Sequence, residues 1–161
     1  MVICILLIFL SIIYYYKVTY KCNDFVKAFV KTIICDSNNI SYSNCGNCNR
    51  CIRIDNGSYS ELKIIEPLSG IIKKEQLLEL QSEFSRSSIE GNFRIYIIKD
   101  CDKMNKHAAN SLLKFLEEPS DNIIAILVTT NRYKMLETII SRCQILSLKE
   151  NSFSISIDDS F

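Results

Sequence analysis

Apolar and polar positions along the chain alternate in stretches of two kinds, one with helical spacing and one continuous. In residues 17–35 (KVTYKCNDFVKAFVKTIIC), Phe25, Phe29 and Ile33 fall at i, i+4 and i+8 with lysines between them, which predicts an amphipathic helix. A second helical pattern runs from about 73 to 86 through Leu77, Leu78, Leu80 and Phe84. A third starts at Asn105, a good N-cap, carries Leu112, Leu113 and Leu116, and stops at Pro119. A fourth is expected over about 133–140. Between them, LKIIEP (62–67), RIYIIK (94–99), NIIAILVTT (122–130) and QILSL (144–148) are aliphatic runs. RIYIIK and NIIAILVTT, continuous and rich in β-branched residues, are typical of strands buried on both faces of a parallel sheet; LKIIEP reads as a short buried strand stopped by Pro67, and QILSL as a last short strand. Strands alternating with helices predict a doubly wound α/β fold with right-handed crossovers.

Two segments do not fit this alternation. The first sixteen residues, MVICILLIFLSIIYYY, form an apolar run. It is shorter than a spanning helix and lacks the small residues of a signal cleavage site. It is read as a core strand, a membrane-inserted or signal-like segment, or a misplaced start. From Asp36 to Ser60 the chain turns to Asn, Ser, Gly and Cys with almost no large apolar residues, so something other than hydrophobic burial has to hold it. Residues 151–161 read as a polar tail.

The cysteines supply the missing constraint. Cys35, Cys45, Cys48 and Cys51 form C-x9-C-x2-C-x2-C. That spacing lets four thiolates reach one tetrahedral ion, with Gly46 for the tight turn. A structural zinc knuckle over 35–51 is the reading; an iron–sulfur cluster, a redox dithiol and incidental thiols are the alternatives. Metal thiolates need reduced cysteines, which favours the cytoplasm, with membrane association through 1–16 as the other option. Cys4, Cys22, Cys101 and Cys143 read as small packed residues.

Charge narrows the function classes. With 19 Lys and Arg against 18 Asp and Glu, the net charge of +1 gives no broad basic field for gripping nucleic acid unaided. His107 is the only histidine, and neither it nor the adjacent Glu117 and Glu118 makes a catalytic pair. The first of four glycines is Gly46, which excludes a glycine-rich phosphate loop in the first 45 residues.

The order of CGNCNRC, IIKKEQLLELQSEF, GNFRIYIIKDCDKMNKHAANSLLKFLEEPSDNIIAILVTTN and LETIISRCQ resembles the delta-prime subunits of bacterial DNA polymerase III clamp loaders, members of the AAA+ family. The likeness runs from about Phe25 to Leu148. It implies an AAA+-type sheet over 17–150, incomplete at both ends, without the family's lid and helical collar. It further implies DNA replication as the setting. The partners would be gamma/tau-type ATPase subunits and a delta subunit, with the sliding clamp and primed DNA met indirectly and no small-molecule substrate. Membership would place the chain within a DNA-directed DNA polymerase holoenzyme, a nucleotidyltransferase, although no polymerase site is visible. The family's phosphate loop would correspond to about Thr19 to Asp24, where Lys21 stands without glycine, and its metal-binding acids to Lys99 and Asp100. No ATP binding is expected. Ser141, Arg142 and Cys143 match the family's triplet that presents an arginine in trans to a neighbour's ATP; Arg142 is the candidate finger. A C-terminal helix cap is its local alternative. Thr130 and Asn131 stand where ATPases of the family keep a polar residue sensing γ-phosphate, but without a phosphate loop they read as a strand end entering a turn; Asp100 and Asp102 read as remnant acids on a solvated loop. Two further readings are a gamma-type ATPase fragment and a membrane-anchored zinc-binding interaction module.

Overall fold

A computed structural model describes residues 11–16, 19–35, 45–85, 93–117, 122–148 and 155–157, with the side chains of 11–23, 147–148 and 155–157 left undescribed. Residues 1–10, the Cys35–Cys45 connection and most of 151–161 lie outside the described residues. The elements are β1 (Ser11–Tyr16), α1 (Thr19–Ile34), α2 (Asn49–Asp55), β2 (Leu62–Ile65), α3 (Lys74–Phe84), β3 (Arg94–Ile98), α4 (Lys106–Glu117), β4 (Ile123–Thr129), α5 (Glu137–Ile140), β5 (Gln144–Leu148) and β6 (Ile155–Ile157).

The six strands form one sheet in the order β2-β3-β4-β1-β5-β6. All neighbours are parallel except β6, which runs antiparallel to β5. The apolar run at the start of the chain therefore supplies, in its last six residues, a central strand, with Ile13 in register with Leu127 and Ile145. Within the stretch read as a polar tail, Ile155–Ile157 closes the sheet. Among the described residues no helix is long and apolar enough to cross a membrane.

Strand side chains alternate faces, so a fully apolar strand feeds two cores. Ile95, Ile97 and Ile126 pack with Val26, Val30 and Ile34 of α1, Ile54 of α2 and Tyr59 on one face. Tyr96, Ile98, Ala125 and Leu127 pack with Leu77, Leu80 and Phe84 of α3, Leu112 and Leu116 of α4, and Ile139 of α5 on the other. On that second face Tyr96 stacks with Phe115, their ring centroids 5.1 Å apart, and meets Phe84 edge to face at 5.8 Å. The sheet is thus covered by helices on both sides.

Two boundaries differ from the sequence pattern. Strand β2 ends at Ile65, two residues ahead of Pro67, because the chain turns into a tight hairpin in which Leu68 and Ile71 exchange hydrogen bonds across Ser69 and Gly70. Gly70 has φ +82°, a conformation glycine adopts without steric cost. The helix expected over 133–140 is broken. A 3-10 turn at Arg132–Lys134 is followed by extended Met135 and Leu136 before α5 begins. Buried Met135 anchors the break, its sulfur 3.4 Å from that of Cys101. Asn131 accepts a hydrogen bond from the Tyr133 N–H; core packing and a side-chain cap override helical spacing here.

One buried contact went unseen in the sequence. Glu61, just before β2, and Arg94, at the start of β3, form an ion pair at 2.8 Å with side chains 2% and 13% exposed. Arg94 also donates to the carbonyls of Glu83 and Phe84 and lies 4.4 Å over the Phe84 ring. It thereby ties the C-terminus of α3 to the sheet. Glu61→Ala strands the guanidinium in the interior and is expected to cost about 3–5 kcal/mol in urea denaturation, whereas replacing both residues by Leu and Met costs far less.

Candidate functional sites: a cysteine cluster and a tethered arginine

Helix α1 delivers Cys35 at its C-terminal end, where the Cys35 N–H still bonds to the Lys31 carbonyl. The chain returns at Cys45, turns at Gly46 (φ +71°) and enters α2 through Cys48, whose sulfur caps that helix by accepting from the Cys51 N–H at 3.4 Å. The four sulfurs of Cys35, Cys45, Cys48 and Cys51 lie within 4.8 Å of one another. All four predicted ligands are therefore brought together.

The fit to one ion can be tested on geometry. Zn–S bonds of ~2.3 Å in a tetrahedron set the sulfurs ~3.8 Å apart, and the cluster is of that size. A multi-iron cluster places metal and sulfide atoms between its thiolates and needs a wider cage. Backbone N–H groups of Cys45 and Cys48 point at the sulfurs of Cys35 and Cys45, at 3.5 and 3.3 Å. With Cys48, which accepts from the Cys51 N–H, and Cys51, which takes a backbone bond from Gly46, each of the four sulfurs receives such a bond, an arrangement that favours thiolates. Cys51 is fully buried. Its thiol is pushed up to about 12 by that burial and by contacts with the sulfurs of Cys48, Cys35 and Cys45, with a backbone bond from Gly46 acting the other way. A divalent cation at the centre reverses that preference by favouring the deprotonated sulfur. Around the cluster, Lys31 of α1 grips the Asp55 carboxylate of α2 at 2.5 and 2.6 Å, and Arg50 donates to the Ile34 carbonyl at 3.3 Å.

Arg142 lies on the opposite face of the sheet, in the turn after α5. Its guanidinium donates to the Thr138 carbonyl at 2.8 Å and to Glu117 of α4 at 2.7 Å, the two side chains being 39% and 48% exposed. The helix-capping role is thus present, and the side chain also stays open to solvent. Ser141 donates to the Thr138 carbonyl. Cys143 is half-buried against the core, and burial pushes its thiol up to about 12, with the Arg142 charge working against the shift. The Arg142–Glu117 pair was missed by sequence reasoning, since 25 residues separate its members.

At the C-terminal ends of the central strands, Lys99 pairs with Glu66 at 2.6 Å and Asp100 with Lys103 at 2.9 Å. Asp102 accepts from buried Thr129 at 2.7 Å, and the Asn131 side chain is spent on its own turn. His107 is exposed at the start of α4, and Asn105 caps that helix by accepting from the Ala108 N–H at 2.8 Å. Thr19–Asp24, the stretch expected from the resemblance to correspond to a phosphate loop, lies inside α1, and two residues separate it from β1.

Comparison with known proteins places this geometry. The chain is 46% identical over 102 residues to the DNA polymerase III subunit delta' of Bacillus subtilis, an alignment covering 63% of this chain and 31% of that protein. It is 32% identical over 123 residues to the DNA polymerase III subunit tau of Escherichia coli, covering 76% and 19% of the two chains. The chain therefore spans about a third or less of the length of these relatives. A crystal structure of a DNA polymerase III gamma subunit-related protein from Thermotoga maritima superposes with a TM-score of 0.62 at 20% identity, over 88% of this chain and 41% of that one, and shares its fold. The family model described as DNA polymerase III, delta subunit matches residues 12–152. With nearly all of the described sheet inside that match, the chain belongs to the DNA polymerase III delta subunit family.

Proposed function

We propose that the chain acts in DNA replication as a delta-prime-like subunit of the DNA polymerase III clamp loader. In this reading it binds no ATP itself, carries one structural zinc on Cys35, Cys45, Cys48 and Cys51, and supplies Arg142 in trans to ATP held by a gamma/tau-type neighbour. Arg142 carries the proposal. It stands at a solvent-facing turn inside the matched region. Of the five N–H donors of a guanidinium, two are used within the described residues. The other three remain for phosphate oxygens, where a positive planar group stabilises charge on the transferring phosphoryl group.

The absence of hydrolysis in the chain itself is supported by two features. A phosphate cradle is a run of backbone N–H groups held by glycines. Here two residues link β1 to α1 and no glycine precedes Gly46. The acids after β3 are engaged within the chain, Asp100 with Lys103 and Asp102 with Thr129, and Lys99 brings a positive charge to the same strand end. Zinc, when bound, supplies a four-thiolate cross-link that replaces the apolar burial residues 45–60 lack. The proposed partners are gamma/tau-type ATPase subunits and a delta subunit, with clamp and primed DNA met through the assembly.

The test is reconstitution. Adding the chain to gamma-type ATPase subunits with delta subunit, clamp and primed DNA is expected to raise ATP hydrolysis above that of the mixture without it. The chain alone is expected to show no saturable binding in a nucleotide titration. Saturable ATP binding by the isolated chain, or no gain on addition, contradicts the proposal.

A further inference from the structure

We infer that Glu117 is the positioning residue of the Arg142 finger; the inference rests on the in-trans role proposed above. Glu117 is the last residue of α4, and a carboxylate there faces the negative end of the helix dipole, where cations are favoured. Among the described residues its carboxylate is met by one cation, the Arg142 guanidinium, 2.7 Å away and 25 residues along the chain. Both side chains are well exposed, and exposed ion pairs contribute little to stability. The contact is better suited to orientation than to holding the fold.

The geometry supports that role. Leu112 and Leu116 seat α4 in the core, and Ile139 does the same for α5. One rigid element thus offers the Glu117 carboxylate and the other the Thr138 carbonyl. Each takes a different terminal nitrogen of the guanidinium, so the plane of the group is fixed by two points before a partner arrives. An arginine on a single tether would sample many rotamers, and ordering it on contact would oppose docking. Preorganised charge acts at the developing phosphoryl charge without reorganisation during the step.

The experiment uses the reconstituted loader with the whole chain, comparing wild type, Glu117→Ala, Glu117→Gln and Arg142→Ala. Loss of positioning in Glu117→Ala is expected to lower kcat for ATP hydrolysis about tenfold with KM for ATP unchanged. Melting of the free chain should stay the same. Glu117→Gln, whose amide oxygen still accepts from the guanidinium, is expected to restore most of the rate. Adding Glu117→Ala to Arg142→Ala should bring no further loss. A Glu117→Ala rate equal to wild type while Arg142→Ala is inactive overturns the positioning role and leaves the finger standing. A faster rate in Glu117→Ala also overturns it, showing that the carboxylate restrains the arginine. Wild-type rates in Arg142→Ala overturn the in-trans reading itself.

Discussion

Chelating the zinc proposed for Cys35, Cys45, Cys48 and Cys51 is expected to lower the melting temperature by at least about 10 °C, as the loss of several kcal/mol does for a chain of this size. The reason lies in what the four sulfurs replace. Between Cys45 and Ser60 the buried side chains are Cys51, Ile54 and Tyr59, too few to order sixteen residues against their conformational entropy. Helix α2 has seven residues and is capped by the sulfur of Cys48; a helix this short does not persist without tertiary support. Once the ion is gone, the closely set thiols reprotonate and the cap weakens. Cys51→Ser should act like the chelator, because it removes the ligand at the buried end of the cluster. Hydrogen exchange would locate the damage. Amides of Ile52, Ile54 and Asn56 are expected to lose protection while those of Ile97, Ile126 and Leu127 keep it, since the central strands are packed by helices on both faces. Metal-free protein that melts like the holo form contradicts a structural role for the ion.

How far the residues alone announced this molecule differs from part to part. Strands β3 and β4 were legible because Ile, Leu and Val fill both faces, leaving no reading but a doubly covered parallel sheet. Helix α4 was legible down to its cap at Asn105. The cysteine cluster was legible because spacing in sequence restricts spacing in space when three ligands sit within seven residues. The apolar start was ambiguous for the opposite reason. An aliphatic run carries no period, and only pairing with β4 and β5 distinguishes the strand in its last six residues. The break at Met135 was hidden because it depends on Cys101, 34 residues earlier. Glu61–Arg94 and Glu117–Arg142 were hidden too: an ion pair across 33 or 25 residues leaves no local signature, although a carboxylate ending α4 against the helix dipole was a signal that could have been weighed.

The largest functional effect is expected at Arg142. Arg142→Ala removes a group tethered to Thr138 and Glu117 at a half-exposed turn. No core contact is lost, and the free chain should fold and melt as before, within about 1 kcal/mol. In the proposed in-trans role the neighbouring site is expected to lose more, because an arginine finger accelerates phosphoryl transfer by roughly 10³ to 10⁵ in other NTPases. Arg142→Lys should recover little of this, since an ammonium cannot keep one bond to Thr138 and another to Glu117 while bonding phosphate oxygens in the same plane. The decisive measurement is the single-turnover rate of ATP hydrolysis in a loader reconstituted from gamma-type ATPase subunits, delta subunit, clamp, primed DNA and either the wild-type chain or Arg142→Ala. The account predicts equal assembly and a rate at the neighbouring site at least about 10³-fold lower with the variant. Equal rates in the two assembled complexes would contradict it.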